Sequence, residues 1–207
     1  MIILIQCLVL LISVVLHEIA HAYVAYLYGD PTAKRLGRLS LNPLVHLDVI
    51  GSFILPALCI VSGAPFFIGW AKPVPVDTGF FKDPQKHMMW VALAGPMTNL
   101  SLAFLGSLFL NIMVWTGLFS AFWTGIFILL IQINLVLMIF NLLPIPPLDG
   151  SRIIIPFLPQ GTRSFVYKLE PYGFACIFLL AYFGLFSSVF NVFLPPLFRV
   201  FIPFSGV

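Results

Sequence analysis

A chain of 207 residues that is 61% hydrophobic and only 8% charged, with a mean hydropathy of +1.09, lies far outside the composition of a soluble domain. Its formal charge of +3, from ten Lys and Arg against seven acids, is too small and too dispersed for a nucleic-acid footprint. Three widely spaced cysteines suggest neither a disulfide framework nor a thiolate metal site, and what remains is a polytopic membrane protein.

The first apolar run, Ile2 to Tyr28, exceeds the ~20 residues that cross ~30 Å of hydrocarbon. With no basic segment before it and no small-residue cleavage site, it is expected to stay in place as a first transmembrane helix. HEIAH, residues 17 to 21, lies inside this run. Histidines four apart on a helix share one face, where both can bind one metal, and Glu18 on the flank can reach a water without becoming a ligand. The alternative is that all three only hydrogen-bond in a polar pocket, but insertion scales charge at least ~2.5 kcal/mol for an ionised group at such a depth.

A basic loop follows, with Lys34, Arg35 and Arg38 and the stretch GRLSLNPLVHLD at 37 to 48. His46 and Asp48 are candidates there for supporting or gating the site, against the plainer reading of structural loop residues. The apolar stretch Val49 to Trp70 reads in two ways. As a full crossing it would put the basic loops at 29 to 48 and 70 to 87 on opposite faces, and the uncharged turn near Asn111 to Ser120 inside, against the positive-inside tendency. As a re-entrant or interfacial segment it places nine basic residues on the cytoplasmic face, and Pro56, Gly63 and Pro65 suit such a path. GWAKPVPV, residues 69 to 76, alternates Val74 and Val76 with Pro73 and Pro75, which fits a β edge that holds an unwound substrate by strand addition, or a structured connector.

Met88 to Trp115 and Leu118 to Leu143 are the next two predicted crossings, the first carrying AGPMTN at 94 to 99. The second ends in NLLPIPPLDG, where Pro144, Pro146 and Pro147 must stop or unwind the helix at membrane depth and Gly150 permits a tight turn. Catalytic zinc needs a third protein ligand, and Asp149 is the candidate, with an ordinary loop or capping aspartate as the other reading. Two net crossings between HEIAH and Asp149 put both at the cytoplasmic side. Tyr172 to Leu194 is the fourth long run, followed by an interfacial tail in which Arg199 snorkels. The expected architecture is an all-α polytopic membrane protein of about four to six transmembrane helices, with the re-entrant, interfacial or β segment between the first two long ones. Residues 1–207 are expected to form one membrane-embedded domain, its core at about 10–155 and a C-terminal helix and tail at 156–207.

HEIAH, AGPMTN and NLLPIPPLDG, in this order and all on apolar segments, resemble the site-2 protease family of intramembrane zinc metalloproteases (peptidase M50). GWAKPVPV and GRLSLNPLVHLD look like its small bacterial and archaeal members, without PDZ or CBS domains. The resemblance implies one Zn2+ held by His17, His21 and Asp149, with Glu18 activating a water. It implies hydrolysis within or near a transmembrane segment of a membrane-protein substrate, in a bilayer of a bacterial or archaeal cell. Asn99 would lie near the active site, orienting substrate or the developing oxyanion, or else make an interhelical hydrogen bond. Asn141 opens the last motif and would satisfy unwound backbone, or merely pack. A protein that ferries or senses a divalent metal is the alternative function, and it would need ligands strung along several helices.

Overall fold

Long apolar runs fold as helices because lipid offers a backbone no other partners for its N–H and C=O groups. The computed structural model describes residues 2–61, 69–118 and 120–202. In chain order the helices are α1 (Ile2–Leu27), a one-turn α2 (Thr32–Arg35), a short α3 (Leu55–Val61), α4 (Pro84–Thr116) and α5 (Ala121–Asn141). After a proline-rich turn come α6 (Asp149–Ile154), α7 (Gln160–Leu169), α8 (Gly173–Tyr182) and α9 (Leu185–Phe201). The chain is an all-α polytopic membrane protein. Among the described residues, four helical runs are long and apolar enough to cross a membrane: Ile3–Leu27, Pro84–Thr116, Ala121–Asn141 and Gln160–Tyr182, the last made of α7, a 3-10 turn and α8.

Local sequence sets the boundaries of the longest helix. Asp83 caps α4 by accepting from the Lys86 N–H at 3.1 Å, Pro84 fills the first turn, and Gly117 ends the helix at φ +69°. Small residues bring the helices together: Ala22 and Ala25 of α1 are fully buried, and at Gly106 of α4 a built Cβ stands 3.1 Å from Ile131. Ala103 and Leu110 of α4 meet Ile131 and Leu135 of α5 in the main apolar cluster, which Leu194, Leu197 and Phe198 of α9 cover from one side. Helices α1, α4 and α5 therefore form the frame on which the rest is hung.

Two expectations change. Tyr172 to Leu194 is not one helix, because Gly184 at φ +74° separates α8 from α9, and α9 runs on to Phe201 through Pro195 and Pro196. No strand forms at residues 69–77, or elsewhere among the described residues. A strand needs a ladder partner, and here the backbone groups are taken by side chains: Arg38 donates to the carbonyls of Lys72 and Pro73, and Asp30 accepts from the Asp77 N–H at 2.8 Å. The stretch from 49 to 70 opens as a π-helical turn (Ile50–Ile54) running into α3, and the Trp70 N–H donates to the Gly51 carbonyl at 3.1 Å. Gly51 and Trp70 therefore lie side by side. Gly63 and Pro65, invoked for a re-entrant path, and the last residues of the tail, 203–207, lie outside the described residues.

Candidate metal centre and active site

Residues four apart on α1 stack one turn above each other, and His17 and His21 bring their Nε2 atoms to 3.0 Å, the rings crossing nearly edge to face. Asp149 is the first residue of α6. It reaches the same point because α5 stops at Asn141 and the prolines at 144, 146 and 147 turn the chain back toward the bundle. The fold of this turn depends on Gly150, where a built Cβ would stand 2.2 Å from the Leu142 carbonyl oxygen. Asp149 Oδ2 lies 3.2 Å from His17 Nε2 and 3.3 Å from His21 Nε2.

The partners of the other ring nitrogens decide what this convergence can hold. His21 Nδ1 is 2.7 Å from the Val91 carbonyl, which can only accept, so Nδ1 carries the proton and Nε2 a lone pair. His17 Nδ1 is 2.6 Å from Asn99 Oδ1, with the same consequence. Two imidazole lone pairs and a carboxylate oxygen thus face one another. Asp149 Oδ2 is buried and makes no hydrogen bond. Three facing electron-pair donors repel unless a cation lies between them. Their 3.0 to 3.3 Å separations fit the ligand spacing of about 3.3 Å in a tetrahedron with metal bonds of about 2 Å. Two imidazoles and a carboxylate, with no thiolate, suit zinc with a position left for water.

Glu18 stands outside this trio. Half-buried on the flank of α1, it accepts from the Val74 N–H at 3.0 Å, so the segment 72–77 passes directly over the candidate base. Asp30 and Arg38, both buried, clamp that segment on either side of Val74, and Val76 packs with Ala25, Phe81 and Val91. Between α1 and α4 an open apolar hollow of about 510 Å³, lined by Val24, Tyr28, Trp90, Ala94 and Met97 among others, begins one turn from His21.

Of the residues singled out from the sequence, His17, His21, Asp149 and Asn99 come together, and Glu18 and Val74 meet beside them. Asn141 does not join them: it donates to the Leu137 carbonyl within its own helix. His46 is buried and donates from Nε2 to the Ser40 carbonyl, while its own carbonyl accepts from Lys72. Asp48 accepts from the Gly51 N–H at 2.7 Å, at the start of the π-helical turn, so both serve the loop that supports 69–77. Sequence reasoning missed Gly95, whose built Cβ stands 2.5 Å from ring atoms of both histidines, although AGPMTN contains it. It also missed Asn134, fully buried in α5 and bonded to Asn99. An amide inside the run IQINLV was the available signal.

Comparison with known proteins adds an independent finding. The model of Peptidase family M50 matches residues 114–185, which include Asp149. The chain is 47% identical over 176 residues to YwhC of Bacillus subtilis, named as a zinc metalloprotease, covering 83% of this chain and 77% of that one. Rip2 of Mycolicibacterium smegmatis, named likewise, is 36% identical over 198 residues, 95% of this chain and 72% of its own. MJ0611 of Methanocaldococcus jannaschii, also named so, is 34% identical over 140 residues, 68% of this chain and 63% of its own. No solved structure matches.

Proposed function

The chain belongs to peptidase family M50 and is a zinc metalloprotease of the site-2 type, and from that premise we propose that it cuts a peptide bond within or beside a transmembrane segment of a membrane-protein substrate. The observation that carries this reading is depth. His17 lies ten residues before the end of α1, about 15 Å along a helix that spans ~30 Å of hydrocarbon, and Glu18 and Asp149 meet it there.

In this reading His17, His21 and Asp149 hold the metal, and zinc so held supplies Lewis-acid polarisation and makes water acidic near neutral pH. Glu18 takes a proton from the attacking water and returns it to the departing amine nitrogen. Val74 orients Glu18 through its N–H, and Val76, packed against Ala25, Phe81 and Val91, anchors the segment that carries it. The hollow between α1 and α4 receives apolar side chains from the lipid side. Positive-inside asymmetry turns the site toward the cytoplasm.

Purified chain assayed for bound zinc and for cleavage of a fluorogenic transmembrane peptide tests this directly. Glu18→Gln keeps an oxygen for the Val74 N–H but loses the base, so zinc should stay and cleavage should fall by at least about a hundredfold. Equal cleavage removes Glu18 from its role, and a native chain without zinc removes the site.

A further inference from the structure

A directed chain of hydrogen bonds runs away from the metal centre into the middle of the bundle. His17 Nδ1 meets Asn99 Oδ1, Asn99 Nδ2 donates to Asn134 Oδ1 at 2.8 Å, and Asn134 Nδ2 donates to both Ser13 Oγ at 2.9 Å and the Leu130 carbonyl at 2.8 Å. Ser13, Asn99 and Asn134 are each fully buried, on α1, α4 and α5 respectively.

The polarity of this chain is fixed at its far end. A backbone carbonyl only accepts, so the atom of Asn134 facing Leu130 must be the amide nitrogen, and its oxygen must face Asn99. Asn99 then has to present its nitrogen to Asn134 and its oxygen to His17. An oxygen there demands a proton on His17 Nδ1, which leaves the lone pair on Nε2, the atom facing His21 and Asp149. Without Asn134 the Asn99 amide is free to rotate and offer its NH2 to His17, and the opposite tautomer would point N–H at the metal position.

We propose that Asn134 is a positioning residue which, through Asn99, sets the tautomer of His17 and so the zinc affinity of the site. This rests on the reading of His17 as a zinc ligand. Ser13 is a second acceptor whose removal leaves the polarity intact, because Leu130 still fixes it. Interhelical glue is the competing role, and it predicts effects on stability alone.

Competition with graded chelators on the full chain in detergent, alongside thermal unfolding of the zinc-free protein, separates the two. Asn134→Leu and Asn134→Ala should each weaken zinc binding about tenfold, while Ser13→Ala stays within about twofold of native. Alanine carries the test if leucine does not fit. Native zinc affinity in a folded Asn134 variant, whatever its stability, overturns the proposal, as does an equal loss in Ser13→Ala. If His17→Ala leaves zinc affinity unchanged, the underlying zinc assignment fails instead.

Discussion

Gly95 sits in the middle of α4, where alanine ordinarily stabilises a helix by about 1 kcal/mol. Here the added methyl would meet ring atoms of His17 and His21 at 2.5 Å, and those rings are held from behind by Asn99 and Val91. The two effects have opposite signs, so Gly95→Ala should keep or raise helicity while bound zinc per chain falls well below native; zinc assay and circular dichroism on one preparation read both. Full zinc occupancy would mean that the rings can slide aside, against the tight backing that the hydrogen bonds describe. At this scale the sequence was informative where chemistry is carried by residue type. His17, His21 and a proline-bounded Asp149 are legible as candidate metal ligands by residue type and spacing, whereas Gly95 acts only by lacking an atom, and Asn134 only by the direction of its amide. Neither property exists before three helices are packed.

At the scale of elements, the segment 72–77 shows how a stretch without secondary structure is held. Arg38, 5% exposed, reaches the carbonyls of Val45, Lys72 and Pro73 with one guanidinium, which a lysine ammonium cannot span. Arg38→Lys should cost about 1.5–3 kcal/mol in unfolding and open residues 69–77 to proteinase K. Zinc content should be unchanged, because Arg38 touches no ligand. Native protease resistance would mean that water satisfies those carbonyls equally well. Helices α1, α4 and α5 were legible from hydropathy to within a few residues, since lipid forces any such run to be helical. The break at Gly184 and the missing strand were not, because hydropathy records side chains and says nothing of a glycine φ or of which side chain captures a backbone group. Val74 and Val76 were expected on a β edge or a structured connector, and the structure shows the connector, with Glu18 rather than a neighbouring strand taking the Val74 N–H.

The whole molecule is asymmetric along the bundle axis. Contacts of Asp30 with Asp77, Arg38 with Lys72, Arg163 with Gln85 and Arg152 with Glu170 tie together the loops after α1, before α4 and after α6 in one layer. Nine of the ten basic residues belong to these loops and their flanks, and Arg199 alone lies apart, on α9, whose end bonds Ser107 in the far half of α4. The turn at 117–120 at the opposite end carries no charge. With Gly51 and Trp70 hydrogen-bonded to each other, the loops on either side of that stretch are expected to share a face, which the proposed orientation turns to the cytoplasm. In a background lacking Cys7, Cys59 and Cys176, single cysteines at Leu41, Thr78 and Leu118 report this with an impermeant maleimide on intact cells. Leu118→Cys should label before lysis, and Leu41→Cys and Thr78→Cys only after it. Opposite exposure of 41 and 78 would make 49–70 a crossing and contradict the Trp70 to Gly51 bond. A shared face on the outside would keep the Gly51–Trp70 contact and reverse the orientation, placing Glu18 and its water supply on the far side from the one proposed.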